Sequence, residues 1–108
     1  MSKRLKDQCL MVIKVNKQCC SIRATFHALE RMEQRAVSSE TVKAVILSLE
    51  QQGKLSKLLD EKKKTMIIDK INKVTVVLDF KQNVIKIVTV INDINVFIKD
   101  NQKIERII

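Results

Sequence analysis

From Thr25 to Gln52 the apolar positions of the chain recur at helical spacing. Ala28, Leu29, Met32 and Ala36 fall on one face, and His27, Glu30, Arg31 and Gln34 fall on the opposite one, with Arg35 at its edge. Thr25 is placed to accept a hydrogen bond from a free N–H of the first turn, so the pattern predicts a helix over 25–35. Ser38 or Ser39 caps a second helix that runs to about Gln52, with Val42, Val45, Ile46 and Leu49 as its buried stripe. Gly53 stands where a left-handed C-terminal residue is wanted. The two helices must then meet in a sharp turn around Ala36-Val37-Ser38.

After residue 64 the chain becomes rich in Val, Ile and Thr. Thr65–Asp69, Lys73–Phe80 and Val84–Ile91, separated by Asp, Asn and Lys turns, predict antiparallel strands in a meander. Val84–Ile91 is apolar on both faces, which places it centrally. Asn92-Asp93 leads into a further strand, Ile94–Lys99, and the tail 101–108 fits a strand or a short helix. At the other end, Leu5, Cys9, Val12, Ile13 and Asn16 share a helical spacing, and the reading over 2–17 leans that way. Leu10–Ile13 followed by Val15 also fits a strand. Cys19–Arg23 is then a short extended entry to the first capped helix.

Between these halves lies GKLSKLLDEKKKT, residues 53–65. It reads either as a solvated linker or as a phosphate-contacting loop, with Lys54, Lys57, Lys62, Lys63 and Lys64 as its cations. Helices first and strands second imply an α+β fold in which N-terminal helices pack on one face of an antiparallel sheet of about four strands. A length of 108 residues fits one domain, with a helical half over about 1–53 and a sheet half over about 54–108.

Composition adds little to the fold but narrows the partners. With three Phe, no Trp and no Tyr, the core must be aliphatic. A net charge of +9 draws the protein towards polyanions: nucleic acid, an acidic protein or an anionic surface. Stacking aromatics, usual on surfaces that bind single strands, are nearly absent. Cys9, Cys19 and Cys20 have no C-x-x-C spacing, and one histidine cannot complete a usual zinc set, so neither a metal nor another cofactor is expected. Free thiols and the lack of a visible leader point to a cytoplasmic protein. The apolar run Cys9–Val15 is too short to span a membrane, so no membrane partner is expected.

The chemistry-bearing residues sit on the first capped helix. His27, Arg31 and Arg35 follow one another at intervals of four, in one slowly drifting row. An imidazole can move a proton near neutral pH, and guanidiniums bind phosphate through paired N–H donors. Glu30 adds a second acid/base or an orienting group for Arg31. By spacing alone, the row fits equally a solvated helix face in which Glu30 and Glu33 pair with nearby arginines.

The run H-A-L-E-R-M-E-Q-R-A-V-S-S-E-T-V, residues 27–42, resembles the opening of a bacterial family, domain of unknown function 4258, whose members typically read H-A-x-x-R-M-x-x-R-G-[IV]-S. Gly53 matches that family's post-helix glycine, and I-K-I-V-T-V-I, residues 85–91, is similar to its last core strand. The match covers about residues 22–92. Ala36 stands where the family has glycine, so the turn there is strained or differently shaped, and Ile91 stands where an aromatic is common. The resemblance implies a RelE-like or colicin-like ribonuclease-toxin architecture and metal-independent cleavage of tRNA or mRNA by 2′-hydroxyl attack. His27, Arg31, Arg35 and Thr89 match the family's site. An acidic antitoxin or immunity protein would be a partner beside RNA. The other readings are a non-catalytic adaptor that binds nucleic acid or protein, and an antitoxin or immunity-type partner on the same scaffold. In a structural role, His27 would sit at the helix–sheet boundary, satisfied by Thr89 or a backbone carbonyl.

Overall fold

The computed structural model describes residues 7–108. The chain enters as a strand, not a helix. β1 (Gln8–Val15) and β2 (Gln18–Ala24) form an antiparallel hairpin. Its turn places both Asn16 and Lys17 at positive φ, as a two-residue turn matched to the right-handed strand twist requires. Met11, Ile13 and Val15 face the core while Val12 and Lys14 are exposed, a period of two that overrides the helical spacing. Leu5, one member of that spacing, lies outside the described residues.

Three helices follow: α1 (Phe26–Gln34), α2 (Ser39–Gln51) and α3 (Leu55–Glu61). Thr25 Oγ1 accepts from Ala28 N at 3.0 Å and Ser38 Oγ from Thr41 N at 3.1 Å, so both caps stand at the ends of their helices. Ala28 and Met32 of α1, and Val42, Val45, Ile46 and Leu49 of α2, are buried. The 53–65 stretch is not a simple linker, because Leu55 and Leu58 bury one side of α3.

The remaining strands are β3 (Thr65–Asp69), β4 (Val74–Lys81), β5 (Val84–Ile91) and β6 (Lys103–Ile107). The six strands form one sheet in the order β1-β2-β5-β4-β3-β6. β2 runs parallel to β5 and β3 parallel to β6, and the other neighbours are antiparallel. The expected four-stranded antiparallel sheet behind N-terminal helices is therefore corrected to a six-stranded mixed sheet, with its first hairpin ahead of the helices. The extra strands come from the two ends of the chain, where the pattern is weakest. Ile94–Lys99 is not a strand; it lies in the irregular link that carries the chain from β5 past β4 and β3 to β6.

The helices and one face of the sheet share a single apolar core that includes Ile22, Ala24, Ile67, Val76, Leu78, Ile87 and Val90. Asp69, fully buried, accepts from the backbone N–H groups of Ile71 and Asn72 and from Asn72 Nδ2, closing the β3–β4 turn. On the second face, Thr75 Oγ1 donates to Asp93 O at 2.7 Å and ties down the start of the β5–β6 link.

Candidate functional site

α1 is docked where β2 stops. Beyond Ala24, β5 loses its parallel neighbour, and three groups replace it. Thr25 N donates to Ile87 O, Thr25 Oγ1 donates to Val88 O at 3.3 Å, and Arg35 Nη1 donates to Val90 O at 2.8 Å. Asn92 Nδ2 returns a bond to Arg35 O at 2.9 Å. These contacts satisfy β5 carbonyls that would otherwise lack partners, and they set the position of α1 along the strand.

His27 is the second residue of α1 and is exposed. It makes no hydrogen bond or ion pair with any other described residue. The bonds at the helix–sheet boundary are made by Thr25 and Arg35. Arg31, half-buried one turn further on, donates from Nη1 to Gln34 Oε1 at 2.7 Å. Neither Glu30 nor Glu33 pairs with an arginine among the described residues, so the salt-bridged helix face does not form. His27 and Arg31 thus share one open face of α1, while Arg35 is committed to the strand.

Thr89 lies beside a bulge: Val77 pairs with Thr89 and Leu78 with Ile87, leaving Val88 unpaired. Because Val76 and Leu78 face the helix-covered core, Val77 and its partner Thr89 belong to the second face of the sheet. No hydrogen bond joins Thr89 to His27 among the described residues.

The lysines divide into two groups. Lys54 lies 2.9 Å from Glu105 and donates to Arg106 O at 3.0 Å, fastening α3 to β6. Lys57, Lys62, Lys63 and Lys64 are exposed, and none of them pairs with an acid among the described residues. A cleft of about 380 Å³ opens at the start of β2, the end remote from α1, lined by Gln18, Leu59, Asp60, Lys62, Gln82 and Asn83. Nothing in the periodicity marks it, since its residues come from the start of β2, the C-terminal end of α3 and the β4–β5 turn, far apart in sequence.

Burial pushes the Cys20 thiol up, with Cys19 and Glu50 adding to the effect. Lys103 Nζ lies 2.8 Å from Glu61 Oε1, an atom shielded from water that receives no well-angled hydrogen bond, so the contact is an ion pair. This close Lys103 ammonium holds the Glu61 carboxyl below the usual carboxylate range against partial desolvation, helped by Lys57 and Lys63. The carboxyl side chain as a whole keeps 31% of its exposure, which limits how much the pair stabilises the fold.

No helix among the described residues is long and apolar enough to cross a membrane. Comparison with protein-family models, curated proteins and solved structures finds no match.

Proposed function

We propose that the protein is a small basic domain that binds and cleaves RNA without a metal, with the open face of α1 as its reacting surface. The observation that carries this reading is the exposed His27, without a hydrogen-bond partner among the described residues, with Arg31 one turn away on the same face. His27 would take the proton of a ribose 2′-hydroxyl as it attacks the adjacent phosphate, or give a proton to the departing 5′ oxygen. Arg31 would hold the phosphate and stabilise its added charge. Arg35, bonded to Val90 O, would position the helix and not touch the substrate. Thr89 matches the family's site by sequence alone, and its place on the second face of the sheet gives it no part in this reading. The same resemblance, in the H-A-L-E-R-M-E-Q-R run, supports a toxin-type activity held in check by an acidic partner.

The test is incubation of purified protein with total cellular RNA in EDTA. Discrete new fragments are expected, and His27→Ala and Arg31→Ala should each reduce their formation by about 10²-fold or more. Intact RNA with salt-sensitive binding would instead establish the non-catalytic adaptor. That second reading is favoured by the diversion of Arg35 to the backbone, which leaves the α1 face one guanidinium short.

A further inference from the structure

The end of the sheet remote from α1 concentrates around a concave surface cations that pair with no acid among the described residues. Lys62 lines the cleft itself. Lys17 precedes the lining residue Gln18, Lys81 precedes Gln82, and Lys63 and Lys64 follow Lys62. All five lysines are exposed. The nearby acids are Asp60, in the lining, Glu61, which is occupied by Lys103, Asp79, two residues before Lys81 on the same face of β4, and Glu50, which acts on Cys20. Three segments are held in register to build this surface. Ser21 N donates to Asn83 O at 3.0 Å, joining the start of β2 to the β4–β5 turn, and α3 brings its C-terminal residues to the same place.

The floor chemistry differs from the rim. Gln18, Gln82 and Asn83 bring three carboxamides to the cleft, all exposed and without a side-chain hydrogen bond among the described residues. A carboxamide presents a donor and an acceptor side by side, the arrangement that matches a base edge. The large apolar side chains that are most exposed, such as Phe97 at 80% and Ile71 at 63%, are not in this lining, so nothing here is suited to insert into a lipid surface.

We propose that this cleft is a single-stranded RNA-binding site, in which Lys17, Lys62, Lys63, Lys64 and Lys81 hold successive phosphates and Gln18, Gln82 and Asn83 contact base edges. The proposal rests on the reading of RNA as partner and adds where the strand is gripped, about the length of β2 away from His27. With no aromatic residue in the lining, affinity must come mainly from phosphate neutralisation.

The experiment measures anisotropy of a labelled 12-nucleotide single-stranded RNA bound to His27→Ala protein, so that cleavage cannot confuse the signal. For five phosphates neutralised, log K should fall with log salt at a slope of about −3.5. The double variant Lys62→Glu/Lys81→Glu should bind at least about tenfold more weakly and with a shallower slope. The charge-matched Lys70→Glu/Lys73→Glu, at the opposite end of the sheet, should bind within about twofold of the parent. Gln18→Ala with Asn83→Ala should lower affinity while leaving the slope unchanged. Equal losses in both lysine doubles, or a loss confined to Arg31→Ala and the remote double, would overturn the cleft assignment. So would binding to phosphatidylserine vesicles without binding to RNA. The cleft and the RNA reading fail separately: if protein with His27 intact and carrying Lys62→Glu/Lys81→Glu still cleaves RNA at the parent rate while His27→Ala does not, the cleft falls and the RNA reading stands. No binding of RNA by any form removes both.

Discussion

At the scale of single residues, the chain's one glycine leaves its left-handed positions to other side chains. Asn16, Lys17, Ala36, Lys62, Lys73, Gln82 and Asn101 all have positive φ. Asparagine tolerates this conformation, but a residue with a plain Cβ loses about 1–2 kcal/mol there. Ala36, at φ 55°, carries that strain in the turn between α1 and α2. Ala36→Gly removes the Cβ conflict and costs about 0.5–1 kcal/mol through the freer unfolded chain, so a net gain of about 0–1.5 kcal/mol is expected. A higher urea midpoint with an unchanged m-value would show it, and a lower midpoint would refute the strain. The departure from glycine was visible in the motif, because a turn this short needs one residue of unusual backbone. That Lys62 and Gln82 share the same backbone region was not visible, since neither residue type favours it.

At the scale of elements, α1 and α2 were readable because capping and periodicity are local. Thr25 and Ser38 cap as their positions demand, and the α2 stripe is buried as its spacing requires. α3 is different. It has seven residues, two of them buried, and two lysine–glutamate contacts join it and its flank to β6: Lys54 with Glu105, and Glu61 with Lys103. A helix this short gains little from propensity and depends on tertiary contact. The Glu61 pKa is depressed in the folded protein, so the pair's contribution is fully present above the ordinary carboxylate range and is lost as pH falls through the depressed value. In thermal unfolding measured from pH 6 down to about 3, the native protein should therefore lose stability more steeply than Lys103→Met. Parallel curves for the two proteins would show that the ion pair contributes nothing.

At the scale of the whole molecule, the sheet is widened from both ends of the chain. The β1–β2 hairpin extends it beside β5, and β6 returns to cover the edge of β3. Ile107 reaches the common core and is fully buried. Ile107→Ala should cost about 2–5 kcal/mol in chemical denaturation, a loss typical of a large core aliphatic. A cost below about 1 kcal/mol would mean that β6 is only loosely attached. The net charge of +9 also acquires a shape at this scale. Some lysines are consumed by Glu61 and Glu105, and others gather around the cleft at the start of β2.

The two capped helices, the strands β3, β4 and β5, and the aliphatic core were legible in the sequence. Each of these follows from local periodicity, capping chemistry or composition. Only the tertiary structure decided that residues 8–15 form a strand, that β2 runs parallel to β5, and that the tail joins the core, because strand pairing is made between residues distant in sequence. It also separated the charged row on α1. His27 is exposed, Arg31 is half-buried and bonded to Gln34, and Arg35 is drawn to Val90 O because β5 has carbonyls to satisfy where β2 ends.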